Sequence, residues 1–475
     1  MSKLISDHSG GLARKSVTPF EVGAQSVANI APSAVIAFGP GAMAATAGNG
    51  AWFSFVIGTA IIMLAAYSIA SIARRRAGAG SLYSLIRPAI GPSGTFATGW
   101  ALFIGVVGIA AGSLAGAGFF ASRVLEKFGL KSFAGTNGQV ILDMVLLVAG
   151  VYVTIASVRT AARVSATLEI LSIIVIVVVL VTVMFKSGNW IDSPQLSLKG
   201  AKLDGIVFAI VLAILGFVGF EGAAALGEES DDPFRAIPRA IRGGALFAGV
   251  LYIFATYSQV AAFKGGAVAL GKSGSPMDDL ASQYGLTSVE PLLNLGFAAS
   301  FIAVVMACVT VGARLLFSWG NEGLLPSWFG KAHPKHRTPA NSIYTIVPLV
   351  AIPTVLVLLA GASPLAATTY IDTVGVFGYM LAYIVVCLGA PLFLKKINVS
   401  GVATMWVTGV LGALSLGYVF YRNIIPVPPS PLNQLPYYFI AFMVLGLIWY
   451  VSLKVRKPAA VELIGSFADD APLVA

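Results

Sequence analysis

Long apolar runs, each separated from the next by a short polar or charged stretch, organise this chain from about residue 22 to residue 455. Each run is long enough, as a helix rising 1.5 Å per residue, to cross ~30 Å of hydrocarbon. Twelve transmembrane helices are predicted, over 22–47, 51–73, 95–122, 141–157, 165–186, 205–227, 241–263, 291–319, 343–361, 369–394, 401–421 and 437–455. Strands of a membrane barrel would show segments of about ten residues with alternating polarity instead. The fold class that follows is an all-α polytopic membrane protein.

Two of the runs are interrupted. In the first, Ala31-Pro32-Ser33-Ala34-Val35 sets a proline inside an apolar helix. Proline has no backbone N–H to donate and clashes with the preceding turn, so the helix must break or kink there. Gly39-Pro40-Gly41 loosens the remainder. In the sixth, Gly216-Phe217-Val218-Gly219-Phe220-Glu221-Gly222 puts three glycines and a carboxylate where a lipid-facing helix would carry Leu or Ile. A charge at that depth costs ~3 kcal/mol on insertion scales and is normally tied to a cavity or pathway.

One interruption in the first helix of each five-helix half is the plan of an inverted-repeat transporter. The expected organisation is a cytoplasmic segment 1–20, a transport core 21–400 built of repeats 21–187 and 204–396, helices 11 and 12 at 401–456, and a cytoplasmic tail 457–475. In helix 3, Gly108, Gly112 and Gly116 share one face at spacing four, either as a packing seam or as a wall kept small for substrate.

Composition supports the same class: 57% of the 475 residues are apolar and 11% charged, against about 45–50% and about 25% in soluble domains. The formal charge of +10 admits nucleic acid or anionic lipid as a partner, but its distribution speaks for topology. About twenty of the 30 Lys+Arg fall on the side of the N-terminus, about nine on the other, and Arg314 inside helix 8. The positive-inside rule then places both termini in the cytoplasm of a multi-pass inner-membrane protein, with the lipid bilayer and no nucleic acid as its surroundings. Residues 1–20 are polar and lack the apolar core of a signal peptide. Cys308 and Cys387 fall inside predicted helices and read as small core residues. His333 and His336, beside lysines and without a third ligand, read as solvated loop residues, so no metal or other cofactor is expected.

Gly219-Phe220-Glu221, then Gly227-Glu228-Glu229-Ser230-Asp231-Asp232-Pro233 and Arg235-Ala236-Ile237-Pro238-Arg239-Ala240, resemble the helix 6–7 signature of the amino acid–polyamine–organocation permeases. Arg76-Ala77-Gly78-Ala79-Gly80-Ser81-Leu82-Tyr83 with Gly91-Pro92 and Gly99-Trp100 is similar to that family's loop between helices 2 and 3. Ala313-Arg314, Asn321-Glu322-Gly323-Leu324-Leu325-Pro326 and Thr338-Pro339 match its helix 8 and the following loop, and Ala44-Ala45-Thr46-Ala47-Gly48 the end of its helix 1. The resemblance spans about residues 20–400, in order. It implies the leucine-transporter-type fold: a 5+5 inverted repeat plus two peripheral helices, around one central substrate.

Chemistry at the breaks fits such a substrate. The half-helix starting near Ser33 offers free N–H groups and the positive end of its dipole, which suit a carboxylate. Carbonyls freed at Gly216, Phe217 and Gly219 suit an ammonium. Facing each other, they describe an α-amino acid site with Ala31, Ser33, Ala34, Val35, Leu215, Phe217 and Gly219 as substrate contacts. Phe220 with Phe217 is either core or an aromatic lid. Glu221 is read as a proton or gating group, or as a structural cap on the second half-helix. Glu169 begins a stretch of helix 5 that relatives use for cation coupling, Ser300 of helix 8 is a sodium-ligand candidate, and Glu228 with Glu229 forms an inner network opposite arginines. Helix 5 has no lysine between Leu168 and Phe185, which speaks against the variant, found in some relatives, in which a lysine stands in for sodium. Arg314 is expected to pair with a carboxylate, because an unpaired buried charge is expensive.

A channel would need a continuous polar pore lining, an enzyme a nucleophile–base set, and an ATP-driven pump a phosphate loop; none is visible. A secondary active amino-acid permease working by alternating access is expected, as a monomer or homodimer. The proton is expected as coupling ion rather than sodium, because an oxygen-rich sodium cage is not apparent. The small apolar lining favours a neutral amino acid. The alternative is a polyamine or monoamine importer, or an amine exchanger, of the same superfamily.

Overall fold

The computed structural model describes residues 17–76, 81–156, 158–226, 230–425 and 430–467. Among these, eleven continuous segments are long and apolar enough to span a membrane. The first, Pro19–Ala73, is 55 residues long, or ~80 Å as helix, and so holds two crossings. These are helix 1, made of Pro19–Ile30 and Pro32–Ala47, and helix 2, Ala51–Ala73. Twelve crossings result, as the hydropathy pattern predicts. The others are helix 3 (Ser81–Lys127), helix 4 (Thr136–Ala156), helix 5 (Val158–Ser187), helix 6 (Leu203–Leu215 continued by the 3-10 turns Phe220–Leu226) and helix 7 (Pro233–Ala262). Helix 8 (Glu290–Asn321), helix 9 (Ala340–Leu359), helix 10 (Pro364–Lys396), helix 11 (Val402–Arg422) and helix 12 (Leu435–Arg456) complete the bundle.

Several helices outrun their predicted limits, because hydropathy marks only the part meeting hydrocarbon. Helix 3 begins at Ser81 and turns at Gly91, whose φ of 69° is open to glycine. Helix 7 begins at Pro233, capturing Arg235 and Arg239 that the pattern leaves in a loop. The Gly/Ser-rich connection after helix 7 folds into two short helices, Gly266–Leu270 and Pro276–Gln283.

Contacts between helix ends sort them onto two faces. On one, Lys396 Nζ donates to Pro88 O (3.1 Å), Lys457 Nζ to Gly323 O (3.1 Å), His336 Nδ1 meets Ala156 O (3.0 Å), and Arg163 pairs with Glu21 (2.6 Å). On the other, Asn49 Nδ2 donates to Lys199 O (2.8 Å), Lys186 Nζ to Tyr284 O (2.8 Å), and Arg422 pairs with Asp204 (2.9 Å). The first face carries most of the basic residues. The N-terminal residues 1–16 and the last eight fall outside the described residues.

Helices 3 and 10 form the most extensive pairing, followed by 3 with 8 and 2 with 7. The glycine face of helix 3 is a packing seam. A Cβ at Gly108 would lie 2.8 Å from Gly375 Cα of helix 10, and one at Gly116 2.8 Å from the Phe301 ring of helix 8. Close backbone approach of this kind replaces the hydrophobic drive that lipid cannot supply between helices. Outward residues such as Leu171, Ile174 and Val178 of helix 5, or Leu447, Ile448 and Val451 of helix 12, are exposed and apolar, as a lipid solvent requires. Cys308 and Cys387 are buried, unpaired core residues.

Candidate functional site

Helix 1 stops at Ile30, and Ala31 turns into the left-handed region (φ 49°, ψ 62°) before Pro32 restarts the helix. Proline at the first helical position gives up an N–H that would have no partner there anyway. Helix 6 stops at Leu215, turns through Gly216–Gly219, where Gly219 has φ 100°, and resumes as 3-10 turns from Phe220. The structure packs the two interruptions on each other. A Cβ at Gly219 would lie 2.6 Å from Asn29 O, one at Gly216 2.9 Å from Val35, and Gly222 abuts the Asn29 amide. Every expected contact residue is thus at one junction: Ala31, Ser33, Ala34, Phe217 and Gly219 are buried, and Val35 and Leu215 partly so.

The amides expected to be free are taken. Ser33 N donates to Glu169 Oε1 at 2.8 Å, Ala34 N to Ser300 Oγ at 3.2 Å, and Val35 N to Ala31 O at 3.3 Å. The physical reason is that buried backbone donors seldom stay unpaired; here helices 5 and 8 supply the acceptors. Glu169 and Ser300, which the sequence marks for coupling, are therefore brought to the positive end of the second half of helix 1. Glu169 is 1% exposed, and its Oε2 and the Ser33 hydroxyl have no hydrogen-bond partner.

The carbonyls of helix 6 are not bare either. Tyr252 Oη of helix 7 donates to Gly216 O (2.7 Å), Phe220 N to Phe217 O (3.2 Å) and Gly222 N to Gly219 O (2.8 Å). Ser26 Oγ of helix 1 donates to Phe220 O (3.0 Å). Glu221 is 2% exposed and accepts from Tyr383 Oη of helix 10 at 2.5 Å. Phe217 and Phe220 are fully buried, packed on Tyr252 and Tyr383 at ring distances of 5.3 Å and 5.2 Å.

Two cavities approach the junction from opposite faces. One of ≈ 670 Å³ enters from the basic face between helices 1, 5 and 7, past Arg235 and Arg239, and ends on Ala24, Val27 and Glu169. The other, ≈ 530 Å³, opens on the opposite face between Phe38 and Gly41 of helix 1, Phe119 of helix 3, and Thr369 and Tyr370 of helix 10. Glu228 and Glu229 lie outside the described residues. Tyr252, Tyr383 and Asn29 are the partners that sequence reasoning missed; nothing in their spacing marks them. Asp372 was also missed, although an acid inside predicted helix 10 is itself a signal.

The amino acid permease family matches residues 24–448, and the chain belongs to it. It is similar to the branched-chain amino acid permease BcaP of Lactococcus lactis subsp. cremoris, with 29% identity over 66% of this chain and 70% of the relative. The Bacillus subtilis protein of the same name is 25% identical over 67% and 71%. The low-affinity putrescine importer PlaP of Escherichia coli K12 is 25% identical over 73% and 71%. The protein is thus a multi-pass membrane transporter of a small molecule, and not an enzyme.

Proposed function

We propose that this permease carries a neutral, apolar α-amino acid across the cytoplasmic membrane in symport with a proton, its basic face and both termini in the cytoplasm. The observation that carries the reading is the Ser33 amide bonded to a carboxylate, Glu169 Oε1, at 2.8 Å. The end of this half-helix already holds the chemical group that an amino acid would present. A substrate carboxylate that takes the Ser33 and Ala34 amides must displace Glu169, and two carboxylates cannot share so small and buried a place. Glu169 therefore takes up a proton as substrate binds. Once the cavity of the basic face reaches Glu169, the proton leaves, and the ionised carboxylate competes for the amides and expels the substrate. Val35, Leu215 and Phe217 supply an apolar wall, and two relatives are named for branched-chain amino acids.

A second reading, transport of an amine, has two observations in its favour: Glu169 Oε2 is an unused acceptor, and one relative is named for putrescine. Proteoliposome uptake separates the two. Leucine uptake is expected to follow an inward proton gradient and to be indifferent to replacing sodium with potassium or choline. The decarboxylated analogue, 3-methylbutylamine, is expected to bind at least about tenfold more weakly, ~1.4 kcal/mol. Equal affinity for amine and amino acid, or strict sodium dependence, would overturn the proposal.

A further inference from the structure

Asp372 lies on helix 10, outside the junction described above. We infer that it is a proton-operated lock on the seam between helices 3 and 10: neutral, it lets the seam close; ionised, it opens the seam to the cavity on the face opposite the basic one. The inference rests on the orientation proposed above only for naming the outer compartment as the proton's source, and it needs no substrate identity.

Asp372 is 4% exposed, and its Oδ1 is sealed without a hydrogen-bond partner. It faces Gly112 of helix 3, where any Cβ would collide with the Asp372 carboxyl and lie 2.9 Å from Thr368 O. The glycine thus makes room for the acid. One turn away, backbone meets backbone, since a Cβ on Gly375 would lie 2.8 Å from Ile109 N. An ionised carboxylate in such a seam would have no donor at its sealed Oδ1, and a buried charge without a partner is not tolerated.

No neighbouring element supplies a counter-charge among the described residues: helices 2 and 9 carry no charged residue, and the cations of helices 11 and 12 sit in their last turns, with Arg422 paired to Asp204 and Lys454 and Arg456 on the basic face. Helix 3 presents Gly105, Gly108 and Gly112 to helix 10. Helix 8 presents the buried Cys308 thiol, within electrostatic reach of Asp372 and of Glu221. Helix 10 itself adds Tyr379 and Tyr383, and helix 6 adds Glu221. These groups are acids or neutral, so a proton is what lets Asp372 be sealed.

The source is adjacent. Thr369 and Tyr370, within one turn of Asp372, line the ≈ 530 Å³ cavity, with Phe119 of helix 3 on its far wall. The cavity therefore ends within one turn of the seam, without reaching Asp372 itself. A proton taken up when the seam closes returns to the same compartment when it reopens. Asp372 consequently sets how readily the outer side closes without adding to the protons moved per substrate, a role separate from that of Glu169.

The test is the accessibility of a cysteine placed at Thr368, fully buried in the seam beside Gly112, read in membranes with an impermeant maleimide applied from the cavity side between about pH 6 and about pH 8.5. Labelling of Thr368→Cys is compared with Thr368→Cys/Asp372→Asn at each pH, so that thiol chemistry cancels; Cys308 and Cys387 are buried and the parent protein gives their background. The labelling ratio, the single variant over the double variant, is expected to rise about fivefold or more as pH rises, because only the native acid can ionise and open the seam. A ratio that is the same at every pH overturns the inference, whether it equals one or not, since a purely structural defect changes it by a constant factor. Asp372→Ser gives the same comparison if the Asp372→Asn variant does not fold. Failure of the symport proposal would leave this readout unaffected, because no substrate is used.

Discussion

The two interruptions occupy matching places in their five-helix halves but are closed by different means. Helix 1 resumes at once as α-helix, and its exposed amides are held by side chains from elsewhere, Glu169 at 2.8 Å and Ser300 at 3.2 Å. Helix 6 resumes as tight 3-10 turns and satisfies Phe217 and Gly219 from its own backbone, with Tyr252 and Tyr383 bracing it. Bonds contributed by side chains of other helices can be exchanged for bonds to a ligand; bonds within the backbone of the turn cannot, short of unfolding it. Helix 1 is therefore where a ligand can compete, and helix 6 is the frame it competes against.

The largest effect should come from removing the competitor. Glu169→Gln, close in shape but unable to give up a proton, is expected to retain substrate exchange and lose gradient-driven accumulation by tenfold or more, on the order of 1.4 kcal/mol of driving force. Glu221→Gln should keep accumulation while lowering thermal stability, because the Tyr383 bond is weakened, by about 1–2 kcal/mol. The reverse pattern in paired uptake and melting measurements would exchange the roles of the two carboxyls and restore Glu221 as the coupling group.

A second pair of variants sharpens the backbone side of the comparison. Gly219→Ala meets Asn29 O at 2.6 Å and a φ of 100°, and is expected to cost about 2–3 kcal/mol. Ala31→Gly relieves a left-handed alanine (φ 49°) but loosens the unfolded chain, so the two terms nearly cancel, within about 0.5 kcal/mol. Equal melting shifts for the two would show the breaks to be equally rigid.

The smallest effect lies outside both breaks. Burial pushes the Glu322 carboxyl up to about 7 from 4.5, against hydrogen bonds from Tyr83 and Phe467 N. Since the folded value is the higher one, this contribution to holding the C-terminal segment is complete below about pH 4.5 and is lost as pH rises through about 7. Cleavage after the exposed Glu462 by a glutamate-specific protease should accelerate a few-fold from pH 6 to pH 8, and Glu322→Gln should flatten that rise.

Crossings and breaks were legible because hydrocarbon imposes them: apolar length, Pro32 and the glycines of helix 6 leave little choice. Glu169 and Ser300 could be marked as coupling candidates from the family resemblance, yet their partners could not, since no spacing says that helix 5 reaches Ser33. The expectation of free amides failed for the same reason, as it considered helix 1 without its neighbours. Glycines at 108, 112 and 116 declared a close approach but not to what; the structure divides them between helix 10 and Phe301.

The end of the chain ties together parts made long before it. Gly465 N donates to Tyr83 Oη at 3.0 Å, Arg87 Nη2 donates to Glu462 O at 2.6 Å, and Phe467 packs on Phe317 at 5.7 Å. During synthesis, which proceeds from the N-terminus, helices 3 and 8 must be inserted while the residues that clasp their ends are still inside the ribosome. For that interval Tyr83 and Glu322 lack part of their final company, so the nascent protein is open to quality control at its basic rim until translation ends. A stop codon between residues 457 and 462 would leave every membrane crossing intact and still deliver a protein that never leaves this provisional stage.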